Sequence, residues 1–203
     1  MKNYLMYNGN KYEIDEENAK NFIKASTEKG TKKLADISVG DTFKIADMEF
    51  VVLENLEGKT AVILKDALHE TVQFGNNNNY DGSNVDKLCL KFAEKIATII
   101  GEENLIEHEV DLTAANGMKC YGVVTRKCSL LTLDRVRHYC NILCENSTSK
   151  WEWLATSNGT PKWGNDAWVV CVSPGGCFGD DNSGCGNHGV RPFCIFDSNI
   201  FVS

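Results

Sequence analysis

The stretch VVCVSPGGCFGDDNSGCGNHGVRPFCIF, from Val169 to Phe196, decides how this chain is read. Apolar and β-branched residues bracket it. Its middle is glycine, asparagine, serine and aspartate, which favour turns over helices. It holds four of the nine cysteines and neither lysine nor glutamate. Such a segment could be a metal site, a disulfide knot, a catalytic loop or a displayed surface.

Cysteine spacing supports the first two poorly. There is no C-x-x-C, and Cys140 and Cys144 lack a histidine pair to complete a zinc set. The expectation is free thiols, some buried as small hydrophobes, with no metal and no cofactor. Asp180-Asp181-Asn182 offers oxygens to calcium, but a calcium loop needs more carboxylates at alternating positions, so a solvated acidic turn is expected. Cys177 or Cys185 could be nucleophilic, yet no base is placed beside either. His69, His108, His138 and His188 stand apart from one another and are expected on the surface or on helices. No G-x-S-x-G, P-loop or dinucleotide fingerprint occurs. No catalytic residue is assigned, and the chain is not expected to be an enzyme. The sequons Asn146-Ser147-Thr148 and Asn158-Gly159-Thr160 read as chance matches.

Bulk properties narrow the classes. The chain has 203 residues with 42% hydrophobic and 24% charged content, as in ordinary globular domains. No apolar run approaches a membrane span, and the start MKNYLMYNGNKYEIDEEN has no apolar signal region, so a cytoplasmic or phage-associated protein is expected. A net charge of −7 argues against nucleic-acid binding, which needs a basic face.

Residues 1–34 read as a small unit. YLMY and KYEI flank Asn8-Gly9, the signal for a two-residue hairpin. A helix capped by Asp15 should follow, with Ala19, Phe22 and Ile23 inward and a stop at Gly30. Residues 35–203 form the second unit. DTFKIADMEFVVLE predicts two strands around Ala46-Asp47, and TAVILK a third, buried on both faces. Asn76–Gly82 is a loop by composition. Ser83, with Asp86 three residues on, should cap a helix whose stripe is Val85, Leu88, Phe92, Ile96 and Ile99. SLLTLDRVRHYC predicts strand, cap at Thr132, then a helix facing Leu133, Val136, Tyr139 and Leu143 inward. After Trp151 the pattern is short strands and long loops.

What the last 35 residues lack is more informative than what they contain. All lysine, glutamate, glutamine, methionine and tryptophan residues lie before Val169. One reading is that a Gly/Asn/Ser/Asp loop region simply lacks long charged side chains. The other uses the genetic code: a codon ending in C or T cannot encode those five residues, and can encode all the others.

The order SLLTLDRVRHY, WEWLAT, AWVV and GVRPFCIFDSNIFVS resembles a C-type-lectin-like domain family of gut bacteria and phages, over about residues 37–203. The family fold also hosts formylglycine-generating enzymes. Many members are variable proteins of diversity-generating retroelements, which exchange template codons for ones ending in C or T within a C-terminal variable region. The resemblance therefore implies an α+β, C-type-lectin-like fold of short mixed or antiparallel strands, two helices and long C-terminal loops. It implies a variable region over about 155–190, and a protein or surface-glycan ligand. The chain departs from the family in Trp151-Glu152-Trp153-Leu154-Ala155-Thr156, where adjacent tryptophans and an arginine are usual. It also lacks a Glu-Pro-Asn calcium motif, and WGND at Trp163–Asp166 only partly matches the Trp-Asn-Asp element.

On this reading Val190, Arg191, Pro192, Ile195, Ile200 and Val202 are scaffold, with Arg191 pairing a carboxylate. The displayed positions are Cys171, Ser173, Gly176, Cys177, Phe178 and Asp180. They continue through Asp181, Asn182, Ser183, Cys185, Asn187 and His188. Trp163 and Trp168 lie outside the codon restriction and would be fixed aromatic walls, or core in the case of Trp168. The alternatives are an oxidase of the formylglycine-generating type using Cys177 and Cys185 as a pair, and a structural or adhesion module whose 173–188 segment is buried.

Overall fold

The computed structural model describes residues 3–7, 10–15, 17, 31–68 and 71–203. The Asn8-Gly9 turn, the helix expected between Asp15 and Gly30, and His69 lie outside the described residues. Strands β1 (Asn3–Tyr7) and β2 (Asn10–Ile14) pair antiparallel, closing at Tyr7 opposite Asn10 as a two-residue connection requires.

The larger body is mixed α+β. Its strands are β3 (Lys32–Lys33), β4 (Thr42–Ile45), β5 (Met48–Leu56), β6 (Lys59–Leu64), β7 (Leu105–Ile106), β8 (His108–Asp111) and β9 (Val123–Arg126). They continue as β10 (Cys128–Ser129), β11 (Glu152–Ser157), β12 (Trp168–Val172), β13 (Phe178–Asn182), β14 (Phe193–Asp197) and β15 (Phe201–Val202). The main sheet runs β10-β14-β6-β5-β4, with β7 also on β14; β11-β12-β13 form a second sheet. Every strand pair is antiparallel.

The two strands predicted around Ala46 are β4 and β5; Ala46 takes φ +53° in the turn between them. In β6, Thr60 to Leu64 are all buried, as a strand covered on both faces must be. Helix α1 (Asn84–Ile100) packs on this sheet. Ser83 accepts the Asp86 amide at its start, and Asp86 in turn accepts the Gly82 amide. The buried stripe is Val85, Cys89, Phe92, Ala93, Ile96 and Ala97. Ile99, expected inward, is exposed, and Ile100, one position on, packs against the core in its place.

The helix expected after Thr132 is two short ones, α2 (Leu133–His138) and α3 (Cys140–Glu145), broken at Tyr139 with φ −98° and ψ 15°. Three helices thus stand where two were expected. Leu133, Val136 and Tyr139 are buried, and Leu143 packs against them partly covered.

Lys32–Leu34, assigned from sequence to the first unit, belongs to the larger body. β3 pairs with β15, and Leu34 is fully buried and donates its amide to the Ile200 carbonyl. Phe43, Phe50, Phe92 and Phe196 form the aromatic centre of the core, with Phe50 and Phe196 edge to face at 5.5 Å.

Candidate functional site: the ribbon of β12 and β13

The stretch expected to be irregular is a strand, a tight turn and a second strand. β12 and β13 pair residue by residue from Trp168 opposite Asn182 to Val172 opposite Phe178. Ser173 to Cys177 make the turn: the Gly176 amide donates to the Ser173 carbonyl, the Ser173 amide to the Cys177 carbonyl, and the Cys177 amide to Ser173 Oγ. Gly176 sits at φ +79°, where a residue with a Cβ is strained. β13 is the edge of its sheet.

The period of two sorts the side chains. On one face Trp168, Val170 and Val172 lie opposite Asn182, Asp180 and Phe178; on the other, Val169 and Cys171 lie opposite Asp181 and Gly179. The central residues of β12, Val169 to Cys171, are buried, while Phe178, Asp180 and Asn182 are exposed. Asp180 and Asp181 therefore project to opposite faces and do not converge on one ion. Among the described residues no group of three or more His, Cys, Asp or Glu side chains could hold a metal.

The structure places the predicted residues unevenly. Trp163, on a 3-10 turn, is 72% exposed, and Trp168 is 44% exposed rather than core. Gly176, Cys177, Phe178, Asp180, Asn182 and Asn187 are exposed, while Ser173, Asp181 and Cys185 are half-buried. Cys171, Ser183 and His188 are buried, which corrects their assignment to the displayed set. Cys171 alternates inward with Val169. Ser183 sits under the 74–75 segment, accepting the Gly75 amide and donating its own to the Ala167 carbonyl. His188 stacks on the Trp153 ring at 4.1 Å. His108 is buried as well, its Nε2 2.9 Å from Ser129 Oγ, because alternation along β8 turns it inward against Phe193.

The scaffold residues fall where expected. Val190, Arg191, Pro192 and Val202 are buried, and Ile195 and Ile200 are half-buried. Arg191 lies 3.9 Å from Glu152 and donates to the carbonyls of Leu64 and Asn146. Gly189 exchanges backbone bonds with Trp151 and Trp153, tying the second sheet to the end of the ribbon segment. A Cβ on Gly189 would stand 2.8 Å from Ala67 Cβ, so only glycine fits.

Three contributors were not found in the sequence. Asn78, in the middle of NNNN, is fully buried. Its amide nitrogen donates to the carbonyls of Trp168 and Gly159, and its oxygen accepts from Tyr121. It thereby fixes the segment carrying Trp163 and Trp168. Nothing in a run of four asparagines marks the buried one. Trp151 lies across Gly179, whose added Cβ would come within 3.1 Å of the ring, and meets His188 edge to face. The W-x-W alternation, which puts Trp151 on the face of buried Trp153, was a usable signal. Arg137 holds its guanidinium 5.9 Å from the Phe178 ring centre and pairs with Asp134.

Two of the thiols here are held toward the protonated form. Burial pushes Cys171 up to about 11, and the hydrogen bond to Asp181, 3.1 Å away, raises Cys185. Cys177 lies beyond the other end of β13 with its amide on Ser173, so the two cysteines have different neighbours.

No family model, curated protein or solved structure matches this chain.

Proposed function

We propose that the chain binds a macromolecular ligand, a protein or a surface glycan, through the outer side of β13 and the turn before it. The proposal includes a C-type-lectin-like scaffold and exchange of the displayed side chains by a retroelement. The observation that carries it is the contrast between backbone and side chains on β13. Its backbone is laddered to a strand whose central residues, Val169 to Cys171, are buried, yet none of its own five residues is fully buried. Side chains at Cys177, Phe178, Asp180 and Asn182 can change without loss of core packing, whereas the positive φ of Gly176 holds that position to glycine. Phe178, 45% exposed among small and polar neighbours, is the natural apolar anchor of such a surface. The hydrogen bond from Cys185 to Asp181, which raises that thiol, does not favour an oxidase. The burial of Cys171, Ser183 and His188 favours a structural role for those three positions alone.

Sequencing the gene and its flanks tests the reading. Cysteine, phenylalanine, aspartate and asparagine codons end in C or T in any gene, so the informative displayed positions are Ser173 and Gly176, whose codons should end in C or T, with a near-identical template segment and a reverse transcriptase gene close by. A mixture of third bases, or no template, overturns the diversification.

A further inference from the structure

Beside the ribbon lies a pocket that shares Ser173, Gly176 and Phe178 with the binding face. It opens between α3 and the Ser173–Gly176 turn, and its volume is about 200 Å³. Ile63, Leu131, Val136 and Leu154 make its buried apolar wall, and Leu143 and Val172 its half-buried sides. An apolar cavity of ~150 Å³ is large enough to take benzene. Cys144 and Ser147 stand exposed at the mouth.

The lining also holds two charges. Glu152 and Arg191 both line the pocket, and are 8% and 4% exposed. Arg191 directs Nε to the Leu64 carbonyl at 2.7 Å and one terminal nitrogen to the Asn146 carbonyl at 2.9 Å. Its other terminal nitrogen, Nη1, is 3.9 Å from Glu152 Oε1, too far for a hydrogen bond. The pair thus sets a donor and an acceptor side by side without joining them; Glu152 Oε1 accepts from the Thr148 hydroxyl instead, which leaves Oε2 for a further donor. A desolvated charge pair of this kind gains from a group that completes its hydrogen bonds.

We propose that this pocket binds a small neutral amphiphile: an apolar body against the aliphatic wall, and a head carrying adjacent donor and acceptor, of the carboxamide type, bridging Arg191 Nη1 and Glu152. A carboxylate head meets repulsion from Glu152, and an ammonium head from Arg191. A neutral head meets neither. Ser173, Gly176 and Phe178 belong to both surfaces, but the aliphatic wall and the Glu152–Arg191 pair do not depend on the codon reading, so either proposal can fail alone.

The test is a titration of the full chain with hexanamide, hexanoate and hexylamine, followed by amide chemical shifts at neutral pH. Hexanamide should bind at least tenfold tighter than either charged analogue and shift the amides of residues lining the pocket. Cys144→Trp, which fills the mouth from an exposed position, should abolish the shifts while leaving the thermal midpoint unchanged. Should that variant fold poorly, Ser147→Trp makes the same block from the other side. Absence of binding at millimolar hexanamide, equal or tighter binding of a charged analogue, or undiminished binding in a folded blocked variant overturns the proposal.

Discussion

β6 and β13 are both laddered antiparallel strands, and they behave oppositely. Thr60 to Leu64 of β6 are buried on both faces between β5 and β14. β13 borrows one neighbour, β12, and leaves its side chains in or near solvent. β6 is laddered on both sides and β13 on the β12 side only, but the larger difference is in what the side chains displace. In the main sheet a side chain fills space in a close-packed core. On the ribbon it fills mostly water. A fold can therefore keep one region exacting and another permissive with the same backbone chemistry.

The comparison breaks most visibly at the main sheet. Phe196→Ala, removing a fully buried ring packed on Phe50, should cost about 3–5 kcal/mol in denaturant unfolding. A loss below ~1 kcal/mol would mean that this core is not close-packed. Next comes the link between the regions. Asn78→Ala leaves the carbonyls of Trp168 and Gly159 and the Tyr121 hydroxyl without their partner, an expected loss of roughly 3 kcal/mol. Tryptophan fluorescence should change with it, since Trp168 is held by that contact; an unchanged spectrum would separate the ribbon from Asn78.

A pH scan sharpens the comparison from the core side. Burial, with Arg135 nearby, lowers His108 to about 3 from an ordinary value near 6.5. The unfolded chain then binds the proton that the folded chain refuses, so stability falls as pH drops from 6.5 toward 3. Between pH 7.5 and 5 the loss from this group is about 2 kcal/mol. His108→Gln should flatten that slope; a slope unchanged in the variant would locate the pH dependence elsewhere. The smallest effect belongs to the ribbon. Phe178→Ser, Asp180→Asn and Asn182→Thr should each shift stability by about 0.5 kcal/mol or less. A shift beyond ~2 kcal/mol at any of them would make the ribbon a structural element and remove the basis for display.

Much of the main body was legible in the chain. Period-two alternation gave β4 and β5, an unbroken apolar run gave β6, and Ser83 with Asp86 gave the start of α1. These signals are local, and local chemistry sets them. Alternation along the ribbon was hidden, because glycine, serine and aspartate carry no hydropathy contrast to display it. The displayed set was consequently read as one loop surface, whereas strand geometry turns Cys171 inward and leaves Phe178 outside.

By itself the sequence determined an α+β chain, a C-terminal segment without lysine, glutamate, glutamine, methionine or tryptophan, and a scaffold tail in which Arg191 meets a carboxylate. Tertiary structure alone decided which carboxylate, since Glu152 lies on a strand distant in sequence. It alone decided that Asn78 is a clamp while its neighbours are solvated, and that Asp180 and Asp181 part to opposite faces. It also decided that a pocket lies between α3 and the Ser173–Gly176 turn. The physical reason is common to all four. Burial and partnership are properties of position in space, and a polar side chain carries no mark of the neighbour that will satisfy it.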